Sequence, residues 1–364
     1  MSAPGREIVS VGAILARNSP LGQLAVMDGY TTVWKVPFGG WQERNVVEAG
    51  TNRRIVALAG GVGGARMADG LAGLSGVDLS VIVNTADDFV LWGLDISPDL
   101  DTVLYTLAGI ADPVNGWGIA GDTHATLAGL GELGVDTWFS LGDRDFATHI
   151  FRTMRRRAGI ALSAITADLA DALGVSTSLL PMTDDPVATR IISAGQEIEF
   201  QEYFVAHRQA DVVDGVRFAG IELAEPAPGV LRAIAEADVV VFCPSNPIVS
   251  IGPILSVHGV RSAIRVTPAV KVGVSPIIGG KALKGPADRM LTSLGHEATA
   301  LGVARLLVDV LDVFVIDERD ADLAPQIEAL GLEVVVLQTI MGDRADRGRF
   351  ASEVIAALMG TVRR

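Results

Sequence analysis

Five aspartates, Asp87, Asp88, Asp95, Asp99 and Asp101, fall within fifteen residues just after the apolar run LSVIV. A single acid at such a position serves to hold a ribose hydroxyl, but one ribose has no use for five. Clustered carboxylates hold a hard divalent cation through oxygen and water ligands, and one of them can orient or deprotonate an attacking hydroxyl. Asp87, Asp88 and Asp95 have no capping duty legible in the sequence, so they form the set expected to supply both metal ligand and base. Asp99 has an equally good structural account: Ser97 suits an N-cap, Pro98 the first helical position, and an acid in the first turn offsets the helix dipole. Trp92, between these acids, can stack on a flat ring or pack beneath its own loop.

Four other loops follow apolar runs. IVALA leads into Gly60, Gly61, Val62, Gly63, Gly64, Ala65 and Arg66, where backbone N–H groups at a helix start can meet a diphosphate. The pattern is neither GxGxxG, because Arg66 takes the third glycine position, nor a phosphate loop ending in Lys-Ser/Thr. TWFSL leads into Gly142, Asp143, Arg144 and Asp145, which suits a substrate clamp or a self-contained salt bridge. VVVFC leads into Pro244, Ser245, Asn246 and Ser250, whose side chains and amides can cradle phosphates or a base edge; without the glycines of GxSxG it is no nucleophile elbow. VKVGV leads into a glycine-bearing loop in which Lys281 or Lys284 can counter phosphate charge. His149 reads as a helix-face residue, Cys243 as a buried strand-end thiol, and the charges of Asp317 to Asp320 as a solvated cluster.

Positioning these loops requires strands that all point one way. Short apolar runs at 55–59, 79–84, 137–141, 239–243, 270–276, 311–317 and 333–337 are separated by stretches of helical periodicity. That alternation predicts an α/β fold, a doubly wound, mostly parallel Rossmann-like sheet with its ligand beyond the carboxyl ends of the strands. The rhythm breaks between 151 and 235, where a basic helix, a helix capped by Ser163 and β-rich sequence suggest an inserted smaller subdomain. The core is then 54–150 together with 236–364, and residues 1–53 form a peripheral N-terminal extension. With 29 basic and 43 acidic residues the formal charge is −14, which disfavours nucleic-acid binding. One cysteine and five scattered histidines argue against zinc and disulfides. No apolar run is long enough to span a bilayer and no secretory leader is evident, so a cytoplasmic location is expected.

Taken in order, GGVGGAR, VNTADD, SPDLDTVLYTLAG, LGDRDFATHI, LPMTDDPVAT, PSNPIVSIGPIL, SPIIGGKALKGPA and LDVFVIDERD resemble the 2-phospho-L-lactate transferase family (CofD/FbiA), over about residues 55 to 360. The resemblance implies a step of coenzyme F-420 assembly: the ribityl hydroxyl of a deazaflavin, Fo, attacks a guanosine diphosphate-linked donor, and GMP leaves. Actinobacterial members that this chain resembles use an enolpyruvyl donor and give dehydro-F-420-0; archaeal members use a lactyl donor. By the same match, Mg²⁺ is the cofactor and a homodimer is expected. Gly60, Gly61, Gly63, Gly64, Ser245, Asn246 and Ser250 would hold the donor's phosphates and guanosine. Asn84, Asp101, Ser140, Asp143 and Arg144 would bound Fo. Some archaeal relatives carry Thr in the glycine loop or Lys where this chain has Ser140. Two other readings compete: a non-enzymatic nucleotide-binding regulator on the same fold, and a nicotinamide-dependent oxidoreductase, which would want a full GxGxxG.

Overall fold

The structure, a computed structural model, describes residues 52–360; the extension expected over 1–53 lies almost wholly outside the described residues. Seven strands form the main sheet: β1 (Arg53–Ala59), β2 (Val77–Val83), β3 (Ser178–Pro181), β4 (Val239–Phe242), β5 (Val270–Val274), β6 (Val313–Asp317) and β7 (Glu333–Leu337). All neighbouring pairs are parallel. Their spatial order is β7-β6-β5-β4-β1-β2-β3, so the chain winds one way from β1 to β3 and then returns to the other side of β1. This is the doubly wound α/β sheet that the sequence predicts. The reversal leaves the loops after β1 and β4 diverging over a crevice at their carboxyl ends.

Both faces of the sheet are apolar because its strands are buried on both sides. Along β1, Ile55, Ala57 and Ala59 join one core while Val56 and Leu58 join the other. Helices α1 (Gly61–Ala72), α2 (Pro98–Leu107), α3 (Ala125–Glu132) and α4 (Asp143–Arg157) carry or support the site residues. Met67 and Leu71 of α1 and Leu100 and Leu104 of α2 pack on the first core with Phe350 and Val354 of the helix Arg344–Gly360. Ile234, Ile264 and Leu307 cover the opposite face. Each such side chain contributes roughly 1.5–3 kcal/mol, enough in sum to hold a strained or like-charged loop in place. No helix among the described residues is long and apolar enough to cross a membrane.

Three local expectations change. The run 137–141 is not a strand but an irregular segment, because Trp138 and Phe139 pack against each other and against Phe89 in a satellite core. The segment 151–235 is mixed. It begins inside α4 and contains β3, the edge of the main sheet, before a separate antiparallel sheet of Ala188–Ser193, Gln196–Glu199 and Gly215–Ala219. Ser163 lies inside the helix Leu162–Ala172 rather than capping it; Asp184 does the capping, accepting the Ser163 N–H at 2.6 Å and its hydroxyl at 2.8 Å. Trp92 turns a hairpin between Phe89–Leu91 and Leu94–Ile96 with φ +50. Its ring stacks on Phe146 of α4 at 6.1 Å, so it packs under the loop.

Candidate active site

The crevice beyond β1 and β4 is a cavity of about 700 Å³, within the size range of small-molecule sites. Its floor is the turn from β1 into α1. The Gly60 N–H donates to Ser245 Oγ at 3.1 Å, and the Ser245 hydroxyl donates back to the Gly60 carbonyl at 2.8 Å. A Cβ on Gly63 would lie 2.2 Å from the Pro244 carbonyl oxygen, and one on Gly64 2.7 Å from Ser245 Oγ. Those two glycines therefore serve the close packing of α1 against the β4 loop. Gly61 differs. It has φ +61, its N–H donates to Asp99 at 2.7 Å, and an added Cβ would meet only Asp99 Oδ1, at 3.8 Å.

Above this turn stand three acids. Asp99 does not merely complement the dipole of α2: its second oxygen accepts the Asn84 amide at 2.9 Å. Asn84 is fully buried, also donates to the Val249 carbonyl at 3.3 Å and accepts the Ala86 N–H at 3.0 Å. It fixes Asp99 from behind and does not line the cavity. Ser97 occupies the expected N-cap position of α2, but its hydroxyl donates to Asp88 at 2.7 Å rather than capping the helix. Burial, and then the charge of Asp99, push the Asp87 carboxyl well above the usual carboxylate range. Burial raises Asp99 to about 6, against the bonds from Asn84 and Gly61, and raises Asp88 to about 8, against the Ser97 hydroxyl and Arg152.

One oxygen each of Asp87 and Asp88 is buried without a hydrogen-bond partner, and no Lys or Arg among the described residues ion-pairs with Asp87, Asp88 or Asp99. Crowded carboxylates with bare oxygens and raised pKa values are what a hard divalent cation relieves. The bare Asp87 oxygen fits a hard divalent cation such as Mg²⁺, which Asp87 and Asp99 would hold from the cavity wall; Asp88 stands behind them and is not among the lining residues. Asp95 is not among the residues lining the cavity; its backbone N–H donates to Thr153 and its carbonyl accepts from Arg152, tying the hairpin to α4.

A second buried group lies deeper. Arg152, 1% exposed, pairs through both terminal nitrogens with Asp101. His149 lies 3.2 Å from Arg152 and 3.3 Å from Asp145, and Tyr105 donates to Asp145 at 2.8 Å. Burial and the two acids push the Tyr105 phenol up, keeping it a donor. Among the described residues Asp101, Asp145 and His149 are the three whose ligand atoms converge closely enough to hold an ion. Arg152 already neutralises Asp101 there, whereas Asp87 and Asp99 have no basic partner among the described residues.

The remaining expected residues divide. Ser140, Ser245, Asn246 and Ser250 line the cavity with Asp87, Asp99, Asp101 and Asp145. Asp143 and Arg144 do not. Asp143 accepts the Thr123 hydroxyl and the N–H groups of Ala125 and Thr126, capping α3, and these bonds hold its carboxyl below the usual range. Asp122 in turn accepts the Arg144 and Asp145 N–H groups at the start of α4. The Arg144 side chain is exposed. Sequence reasoning missed the aromatic lining, Trp117, Trp138, Phe139, Phe200 and Phe204, of which Phe200 and Phe204 stack at 5.5 Å around a π-helical turn, Glu202–Ala206. The spacing of FQEYF was the available signal.

A family model described as 2-phospho-L-lactate transferase CofD matches residues 55–341. The chain belongs to the CofD family. The phosphoenolpyruvate transferases of Kitasatospora aureofaciens and Streptomyces coelicolor are each 44% identical to it, over 83% of this chain and 97% of their own. The 2-phospho-L-lactate transferase of Methanosarcina acetivorans is 39% identical over 85% of this chain and 100% of its own. A UPF0052 family protein of Bacillus halodurans superposes with a TM-score of 0.57 at 15% identity, covering 84% of this chain and 99% of its own, which speaks for the fold alone. Like other CofD proteins, the chain is a transferase.

Proposed function

We propose that this transferase joins Fo to the phosphoenolpyruvyl moiety of enolpyruvyl-diphospho-5'-guanosine, giving dehydro coenzyme F-420-0 and GMP. The observation that carries the reading is the pair Asp87 and Asp99 at the β1/β4 crevice, without a basic partner among the described residues and with one Asp87 oxygen bare, inside an aromatic-lined cavity large enough for a flat ring and a nucleotide. The relatives at 44% identity with the phosphoenolpyruvate name favour the enolpyruvyl donor.

In this reading the ribityl hydroxyl oxygen forms a bond to the phosphorus carrying the enolpyruvyl group. The anhydride bond to the second phosphorus breaks, and GMP departs with that bond's electron pair. Such in-line displacement asks for positioning, neutralised charge and a place for the hydroxyl proton. Asp87 lines the cavity with one oxygen lacking a hydrogen-bond partner, which makes it the carboxylate that would take that proton or hold the cation. Gly61 and the loop of Asn246 and Ser250, which line the cavity, would hold the donor's phosphates and guanosine, and Asp101 and Ser140, with the aromatic wall, would hold Fo. When bound, Mg²⁺ would neutralise the diphosphate and the developing charge on the leaving phosphate.

The test is incubation of purified protein with Fo, Mg²⁺ and the enolpyruvyl donor, with the lactyl donor and EDTA as parallel arms. Coupled, metal-dependent appearance of GMP and a phosphorylated deazaflavin is expected; nucleotide binding without product from either donor would sink the reading in favour of a regulator. A cytoplasmic homodimer belongs to the same proposal, checked by sedimentation velocity and fractionation.

A further inference from the structure

Acids dominate the cavity wall, yet two cations also line it, Arg66 and Lys284, the only Lys or Arg among the described residues to do so. Neither forms a salt bridge with a described residue. Arg66, in the first turns of α1, donates Nη1 to the Met341 carbonyl at 2.9 Å. Lys284 reaches across the mouth from the loop 279–286 to the carbonyls of Asn115 and, at 3.3 Å, Val114. The neighbouring Gly116 lies tightly against Val62, where a Cβ would come within 2.6 Å of Val62 Cγ1. The Lys284 loop is thereby stapled over the glycine-rich turn. Burial and the charge of Arg66 hold the Lys284 ammonium below its usual pKa, against a smaller pull from Asp112, so the two cations feel each other while neither is ion-paired. Cations bonded only to neutral carbonyls gain Coulomb attraction when they exchange these for an anionic acceptor.

Resting on the function proposed above, we infer that Lys284, with Arg66 beside it, recognises the carboxylate of the donor's three-carbon acid, and so separates a carboxylated diphosphoguanosine from simple guanine nucleotides. The carboxylate is attached through carbon to the oxygen on the phosphorus under attack. Of the side chains on the wall, Asp87, Asp99, Asp101 and Asp145 carry the same sign as this carboxylate, and Arg66 and Lys284, which have no ion-pair partner among the described residues, are the ones that offset it. Seating it there takes Lys284 off the Val114 and Asn115 carbonyls and turns their contact from a bridge between loops into a contact with substrate.

Calorimetry on the full chain with Mg²⁺ tests this, using three probes: lactyl-diphosphoguanosine, its ethyl counterpart lacking the carboxylate, and GMP. The wild type should favour the carboxylated probe by about tenfold or more, the worth of a hydrogen bond to a charged group. Lys284→Met should shrink that ratio several-fold while leaving GMP affinity, which also reports folding, in place. Lys284→Arg should keep most of it. A ratio unchanged in Lys284→Met, or no preference in the wild type, overturns the inference. Failure of the transferase reading looks different: no product from Fo and donor in the wild type, whatever the binding ratios.

Discussion

Removing the metal should make the protein's stability fall as pH rises, and Asp87→Asn should weaken that fall. Burial keeps Asp87, Asp88 and Asp99 protonated to higher pH in the fold than in the unfolded chain. Between the two pKa values the folded state therefore binds more protons, and stability drops as pH increases. For Asp99 the rise from 3.8 to about 6 amounts to roughly 3 kcal/mol lost between about pH 4 and pH 7, since each tenfold change in proton affinity is worth about 1.4 kcal/mol. Asp87 adds to this in the same direction, and Asp88 extends the slope towards its value of about 8. Thermal melts in EDTA should show this as a fall in Tm on the order of 5 to 10 °C. Mg²⁺ at a hundred times its Kd should return about 2.7 kcal/mol. Asp87→Asn removes one charge and supplies an NH₂ where an oxygen now lacks a partner. In EDTA at pH 8 the variant should melt above the wild type, at pH 4 close to it, and its response to Mg²⁺ should be largely lost along with transfer. A variant that melts below the wild type at pH 8, or a wild type whose Tm ignores both pH and Mg²⁺, would refute the crowded-carboxylate account.

Arg152→Met should be among the most destabilising single changes, costing about 3–5 kcal/mol in urea unfolding, because Asp101 would remain buried without its partner; adding Asp101→Asn should recover part of the loss. Ser245→Ala leaves the Gly60 N–H and carbonyl without their clasp and should cost about 1–3 kcal/mol by the same assay. Asp143→Asn should lower Tm modestly through α3 while sparing the rate of transfer, and a hundredfold fall in kcat at unchanged KM would restore the substrate-clamp reading of the GDRD loop.

Six of the seven strands of the main sheet were legible as apolar runs, since strands buried on both faces have little room for polar residues. β3 was not: only four residues long, its Ser178 is exposed and Leu180 partly so, and it lies amid helical and antiparallel sequence. TWFSL misled for the opposite reason, its aromatics being apolar enough for a strand but large enough to form a cluster of their own. At the site, the loops after β1, β2 and β4 could be picked out from chain position alone. Sorting the acids could not be done that way. Asp99 and Asp143 both sit in first helical turns, yet one faces the cavity from behind Gly61 and the other caps α3, and only the approach of distant loops separates them. His149 read as a helix-face residue because Asp101, which meets it and its helix neighbour Arg152, arrives only when α2 and α4 pack.

The clasp between Gly60 and Ser245 joins residues 185 apart, and the one between Asn84 and Val249 joins residues 165 apart. Both close after the whole of 84–238 has been made, since β4 must slot in beside β1 before either can form. Bringing together such distant segments is slow and entropically costly. During synthesis the amino-terminal half can already pair β1 with β2 and dock α1 and α2, but its acids have no far wall and Asp99 lacks a fully anchored Asn84. The cleft is consequently complete only with the whole chain: one ending before residue 245 would lack Ser245, Asn246, Val249 and Ser250, and with them the far wall of the cavity.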